Sequence, residues 1–234
     1  MNSTHLSVRL ATVGQHVKPG SRLADIGSDH AYLPINLALN GIINYGVVGE
    51  VREGPLENAK HEITKAGLVD VLQPRLADGL AAIQSSDDVD HITIAGMGGA
   101  LISHILESGK DRLTGKETLI LQPNVGEENV RRWLMQNGYT ITAEEILEED
   151  GHIYEIIVGQ QIGVVPPYNS EDLFLGPFLR VEQNQTFIKK WQRELIQKQS
   201  ILNNIEQSQH TDQDKVTQFT HEIKMIEEIL KGES

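Results

Sequence analysis

The 234-residue sequence contains no cysteine. That excludes a disulfide framework, a cysteine-based zinc site and a thiol nucleophile, and nothing points to an oxidising compartment. No apolar run approaches the ~18 residues needed to span a bilayer, and the first ten residues lack the apolar core of a signal peptide. A soluble, cytoplasmic protein is expected, with no membrane and no metal among its partners. Positive charge is also scarce. Twenty Lys and Arg face 33 Asp and Glu, a formal net charge of −13. Such a surface does not attract nucleic acid as a whole, so any RNA contact must use local basic patches and be salt-sensitive. Hydrophobic residues make up 39% of the chain, below the ~45–50% of an average that also counts glycine. The length suffices for one α/β core of ~150–200 residues and an appendage.

What is present alternates between strand and helix patterns. Leu6, Leu10, Val13 and Val17 recur at helical spacing, which predicts an opening amphipathic helix. Strands are predicted at 22–26, 45–50, 71–77, 91–95 and 118–122, with Pro74 placing the third at an edge. Helices are predicted at 32–39, from Leu56 to Ala66, through Ile102, Ile105 and Leu106, and at 127–137. Two further strands, 139–147 and 152–159, flank the hairpin signal Asp150–Gly151. This order predicts a Rossmann-like parallel sheet with helices on both faces and one antiparallel strand inserted by a terminal hairpin. Dinucleotide dehydrogenases usually end on another parallel unit; methyltransferases of the main class end on such a hairpin. After a Pro-containing linker at 163–167 the composition turns polar. Ile188, Trp191, Leu195, Leu202 and Ile205, then Val216, Phe219, Ile223, Ile226 and Leu230, predict an antiparallel two-helix coiled coil from Phe178 to Lys231. Arms of ~25–35 residues, ~40–50 Å long, are expected, joined at His210–Asp214 with Thr211 and Asp214 as a capping box variant. The expected domains are 1–163 and 164–234.

The strand ends carry the chemistry. Asp25, Gly27, Ser28, Asp29 and His30 form the first strand-to-helix turn. One glycine allows a tight turn under a ligand, yet carboxylates at this place repel a pyrophosphate. They suit a ligand bearing a sulfonium and an ammonium, which favours S-adenosylmethionine over NAD. Glu50, followed by Val51, ends the second strand, where an acid accepts both ribose hydroxyls. Asp78 and Gly79 follow the third strand, where an Asp can accept from an adenine amine. Ala95, Gly96 and Met97 close the fourth strand, with glycines that let backbone approach a flat ligand; no Gly-Lys-Ser/Thr follows, so this is not a P-loop. Gln122, Pro123 and Asn124 close the fifth strand, where amides can pair with a base edge or simply make a turn. Two basic clusters are candidates for RNA backbone: Arg9, His16, Lys18 and Arg22 in the opening segment, and Lys189, Lys190 and Arg193 in the first arm of the hairpin. Either cluster can equally be a solvated face.

The segments 22–34 (RLADIGSDHAYLP), 48–51 (VGEV), 75–80 (RLADGL), 94–99 (IAGMGG) and 121–124 (LQPN) resemble the bacterial tRNA (adenine-22-N1)-methyltransferases, the TrmK family. The resemblance covers essentially the whole chain. It implies a class I methyltransferase fold, S-adenosylmethionine as donor and N1 of adenine 22 in tRNA as acceptor. It implies that Asp25, Gly27, Glu50, Asp78 and Gly96 line the cofactor site, and that Asp29 acts near the methyl group. Tyr32, Met97 and Pro123 are expected to wall in the substrate base. Two rival classes are an NAD-dependent oxidoreductase and a scaffold protein acting through its helical hairpin. Self-association is left open.

Overall fold

The structure is a computed structural model that describes residues 3–207 and 212–232; the side chain of Asp29 lies outside that description. The chain divides into two compact units, Met1–Asn169 and Ser170–Ser234.

The first unit is built on a seven-stranded sheet of order β3-β2-β1-β4-β5-β7-β6. The strands are β1 (Ser21–Ile26), β2 (Ile43–Glu50), β3 (Leu72–Leu76), β4 (His91–Gly98), β5 (Thr118–Val125), β6 (Thr140–Glu149) and β7 (His152–Gln160). β1 to β5 are parallel, and β7 inserts antiparallel between β5 and β6. Asp150 and Gly151 close that hairpin with positive φ at both residues, the backbone that matches the twist of paired strands. β3, the strand that carries Pro74, lies at the edge as the missing amide requires. The helices are α1 (Val8–Gln15), α2 (Tyr32–Leu39), α3 (Glu53–Lys65), α4 (Gly99–Ser108) and α5 (Glu127–Gln136).

Two apolar clusters cover the sheet. One joins Ile92, Ile94, Leu119 and Leu121 to Ile102 and Leu106 of α4 and Val130 and Leu134 of α5. The other joins Leu23, Val48 and Ile120 to Val13 of α1, Ile35 of α2 and Ile63 of α3. Alternate strand residues serve opposite clusters, as the strand period demands. Gly99 is forced by packing: a Cβ there would lie 2.0 Å from the carbonyl oxygen of Gly126. α4 therefore starts in direct contact with the turn after β5, which fixes the distance between two ligand-bearing strand ends.

The opposite end of the sheet is tied by charge. Arg75 donates from both terminal nitrogens to Asp87, at 2.5 and 2.8 Å, and the Tyr45 hydroxyl and Gln84 amide donate to the same carboxylate. Arg22 belongs here too. Its guanidinium lies 3.9 Å from the Tyr45 ring centroid and its Nε donates to the Asp87 carbonyl. That use, at the start of β1, takes Arg22 away from the predicted RNA cluster. Burial opposes ionisation of Asp87, but the bonds from Arg75, Tyr45 and Gln84 outweigh it and hold its pKa at about 2, against an ordinary 3.8. At ~1.4 kcal/mol per pH unit this carboxylate contributes about 2 kcal/mol of stability, present above pH 3.8 and lost as pH falls through about 2. Asp87→Asn should cost about that much at pH 7 in urea unfolding, and the deficit should vanish by about pH 2. A deficit that stays constant across that range would show that shape, and not charge, matters there.

The second unit contains α6 (Ser170–Leu175), α7 (Leu179–Glu182), α8 (Gln185–Glu206) and α9 (Gln213–Lys231). α8 and α9 have 22 and 19 residues, so each is about 30 Å long and shorter than predicted. Gln183 has φ +49 and Asn184 caps α8 by accepting from the Phe187 amide, which breaks the chain after α7. α9 is capped by Asp212, which accepts from the Lys215 amide at 3.2 Å, one residue beyond the predicted cap. The predicted turn residues His210 and Thr211 lie outside the described residues. Lys198 of α8 donates to Glu222 of α9 at 2.7 Å and lies over the Phe219 ring. No helix among the described residues is long and apolar enough to cross a membrane.

Candidate active site

The parallel strands deliver their predicted residues to one crevice. Asp25, Gly27, Ser28, Glu50, Val51, Ala95, Gly96 and Met97 all line a cavity of about 730 Å³. Asp78 and Gly79 line an adjoining cavity of about 480 Å³ that shares Gly27, Val51 and Met97 with the first. β4 separates from β5 register at Ala95 to Gly98, where the glycine-rich segment swings into the crevice.

Asp25 is buried at the end of β1, and the Thr93 hydroxyl donates to it at 2.6 Å. Burial pushes its carboxyl above the usual carboxylate range, while hydrogen bonds from Ser28 and Thr93 pull it back. A cationic ligand nearby would relieve that cost. Gly27 has φ +71, and a Cβ there would meet the Met97 methyl at 1.9 Å. The glycine therefore permits both the turn and the approach of Met97. Glu50 is also buried, with one oxygen 3.2 Å from the Val51 amide. Asp29 and His30 stand in a short 3-10 turn, Asp29–Ala31. His30 and Ala31 both have left-handed backbone, φ +59 and +54, a conformation that costs non-glycine residues ~1–2 kcal/mol each. His30 stacks on Tyr32 at 5.2 Å, so the pair forms one flat wall after β1. Neither lines the two cavities.

Two predicted base-pairing amides have other work. Gln122 is fully buried; its Oε1 accepts from the Gly96 amide at 2.9 Å and from Arg9, and its Nε2 donates to Pro123 and Asn124. Asn124 donates to the Gly96 carbonyl at 2.8 Å. Both polar groups of the Gly96 backbone are thus held by β5 side chains, so these amides shape the loop, and the buried Gln122 is turned to it entirely. Pro123 is buried with Gln122; Tyr32 and Met97 are half-buried.

Arg9 is the residue that the sequence placed least well. Its guanidinium sits against Gln122 and over the Tyr154 ring, 5.4 Å from the centroid, and it lines the larger cavity. An arginine two turns ahead of a sheet carries no local signal of that. Lys18 is exposed after α1, and His16 lies 3.9 Å from Glu145. Burial lowers the pKa of His16, against the pull of that carboxylate, which leaves it a poor phosphate contact. Lys189 and Arg193 are exposed on α8, and Lys190 lies 5.1 Å from the Trp191 ring centroid. Among the described residues no group of three or more His, Asp or Glu is placed to hold a metal.

A parallel sheet closed by an antiparallel hairpin, with acids and glycines at the ends of β1, β2 and β4, defines a Rossmann-like methyltransferase. A family model described as TrmK, tRNA (adenine(22)-N(1))-methyltransferase, matches residues 23–228. The Bacillus subtilis (strain 168) tRNA (adenine(22)-N(1))-methyltransferase is 44% identical over 98% of this chain and 99% of its own. The chain belongs to this family. The crystal structure of the B. subtilis M1A22 tRNA methyltransferase TrmK superposes with a TM-score of 0.90 at 43% identity, over 97% and 99% of the two chains. M. capricolum TrmK, solved with S-adenosyl-homocysteine, gives 0.84 at 26% identity over 97% and 98%.

Glu50 offers a direct check of the cofactor site. Glu50→Ala should weaken S-adenosylhomocysteine binding by ~1.5–3 kcal/mol, the worth of hydrogen bonds to a charged group. Calorimetry returning wild-type affinity would remove Glu50 from the ribose contact.

Proposed function

We infer that this protein transfers a methyl group from S-adenosylmethionine to N1 of adenine 22 in tRNA, in the cytoplasm. The observation that carries the reading is the crevice itself: buried Asp25 and Glu50 stand at adjacent strand ends beside the Gly96–Met97 segment, in a chain that belongs to a family named for that reaction. The residues fit the donor. In this reading Asp25 and Ser28 serve its amino-acid end, Glu50 and Val51 its ribose, and Asp78 and Gly79 its adenine; the first four line the larger cavity and the last two the adjoining one.

N1 of adenine has its own lone pair, so the chain need not form a covalent intermediate. When bound, S-adenosylmethionine supplies a methyl on a sulfonium; the C–S bond breaks as the N1–C bond forms, and positive charge passes to the adenine. The protein's part is alignment, which contributes ~7–11 kcal/mol in such reactions. Met97 supplies an apolar wall in the crevice, and the Tyr32 ring, outside the two cavities, a flat surface for a base that must leave any pairing to expose N1; Pro123 is buried and backs the loop instead. Asp29 supplies negative charge where positive charge arrives. The experiment is transfer of labelled methyl to tRNA transcripts bearing A22 or A22→G, followed by nucleoside analysis. Label that appears equally in both transcripts would overturn the assignment of position 22.

The second unit positions tRNA. Lys189 and Arg193, exposed on α8 and four residues apart, share one helix face. Lys189→Glu with Arg193→Glu should lower tRNA affinity and flatten the salt dependence by about two units of log–log slope, since each lost phosphate contact removes about one. Filter binding across a salt series measures this. Unchanged affinity and slope in the folded variant would take these residues off the RNA surface.

A further inference from the structure

The donor brings two positive charges and one negative, and the negative one calls for a cationic partner in the crevice. The walls of the larger cavity hold two cationic side chains, Arg9 and Arg52. Arg52 is exposed and sits at the start of α3, just past Glu50, on the ribose side. Arg9 lies against β4 and β5 instead. Its Nη1 lies 3.6 Å from where a Gly96 Cβ would be, beside the strand end that carries Ala95, and it shares the lining of the cavity with Gly27 and Ser28 of the turn after β1.

That guanidinium is fixed before any ligand arrives. Nη1 donates to Gln122 Oε1, and the guanidinium carbon lies over the Tyr154 ring. The start of α1 is pinned by Glu149, whose carboxylate accepts from the Val8 amide at 2.5 Å and from the Arg9 amide at 3.3 Å. Arginine has five N–H donors, and Gln122 takes one of them. A guanidinium held in this way meets a carboxylate through two parallel bonds at little further entropic cost. Arg9 also explains why Gln122 is oriented with its oxygen toward both Arg9 and the Gly96 amide: one amide links the cation to the segment that forms the cavity wall.

We propose that Arg9 is the counter-ion for the α-carboxylate of the cofactor's amino-acid end. It therefore selects ligands that retain that carboxylate. The inference rests on the cofactor reading above and gives Arg9 a task other than an RNA phosphate contact.

The test compares three ligands by calorimetry: S-adenosylhomocysteine, S-adenosyl-3-thiopropylamine, which lacks only the carboxylate, and 5′-methylthioadenosine, which lacks the amino-acid group. The wild type should prefer the first over the second by about 10- to 100-fold, the range of a charge-assisted bidentate pair. Arg9→Ala should shrink that preference to about threefold or less, and Arg9→Lys should retain part of it. 5′-Methylthioadenosine should bind both variants within about twofold of wild type. A preference that survives in Arg9→Ala overturns the proposal. An equal loss for all three ligands also overturns it, because Arg9 would then shape the cavity as a whole. A flatter salt slope for tRNA with the ligand preference intact would make Arg9 a phosphate contact instead. Failure of the wild type to bind any of the three would instead sink the cofactor reading itself.

Discussion

Asp29→Ala should slow a saturated single turnover by about 10²- to 10³-fold while leaving cofactor affinity within a few-fold. The size is that of losing one charge that acts in the transition state, the role proposed for Asp29, ~2.7–4 kcal/mol in comparable cases. The backbone on either side of this residue is held by hydrogen bonds. Gly27 and Ser28 both donate their amides to the Gly49 carbonyl, at 2.8 and 3.4 Å, and the Ala31 amide returns to the Ser28 carbonyl at 3.2 Å. His30 and Ala31 then keep left-handed backbone that neither favours. Strain of that kind persists only where the surroundings over-determine it, and it is common where function needs one fixed geometry. Methyl transfer moves positive charge from sulfur to adenine, so a carboxylate acting there, the role proposed for Asp29, would stabilise the transition state more than the ground state. Asp29→Asn separates charge from shape. If charge is what counts, Asn behaves like Ala in rapid-quench single turnovers. If Asn runs at the wild-type rate, Asp29 is only a cap for the turn.

The fold was legible because its signals are local. α2 runs from Tyr32 to Leu39, as predicted from its apolar pattern and the Asn40–Gly41 stop, and Asp150–Gly151 announced the hairpin that inserts β7. That Asp25, Glu50 and Gly96 would meet in one crevice was legible for the same reason: each lies at or near the end of a strand whose pattern is clear. What stayed hidden depends on distant partners. Arg9 reaches Gln122 across 113 residues, so nothing near Arg9 marks it as a cavity residue. Gln122 and Asn124 were correctly placed at a strand end, but whether an amide faces a ligand or its own loop depends on the Gly96 backbone. α6 and α7 were missed because six- and four-residue helices carry too few turns to show a period.

Arg131 is the strongest case of a hidden partner, and Arg131→Ala should lower stability by about 3–5 kcal/mol, the cost of breaking a buried ion pair. In sequence it is one of two adjacent arginines on a helix, which reads as a solvated face. In the fold its side chain is fully buried: Nε donates to Glu144 at 2.6 Å, Nη2 donates to Glu155, and both carboxylates are buried too. Burial disfavours the charge on Arg131, but Glu155 and Glu144 outweigh it and raise its pKa further. One cation thus serves two carboxylates, and α5 is tied through it to both strands of the terminal hairpin. Removing the guanidinium takes away the buried counter-charge that Glu144 and Glu155 share, which costs more than the lost bonds alone. For a unit of this size the melting temperature should fall by roughly 8–15 °C. The control is the triple variant Arg131→Met, Glu144→Gln, Glu155→Gln, which removes all three charges. If stranded charge is the cause, the triple variant should regain more than half of the loss, because a neutral cluster leaves no ion unpaired. If it is as unstable as Arg131→Ala, the arginine matters for its packing. The site registers the difference as well. Tyr154, next to Glu155 on β7, supports the Arg9 guanidinium, so a hairpin loosened at Arg131 should also weaken S-adenosylhomocysteine binding at temperatures where the variant is still folded. Full affinity under those conditions would confine the triad to stability alone.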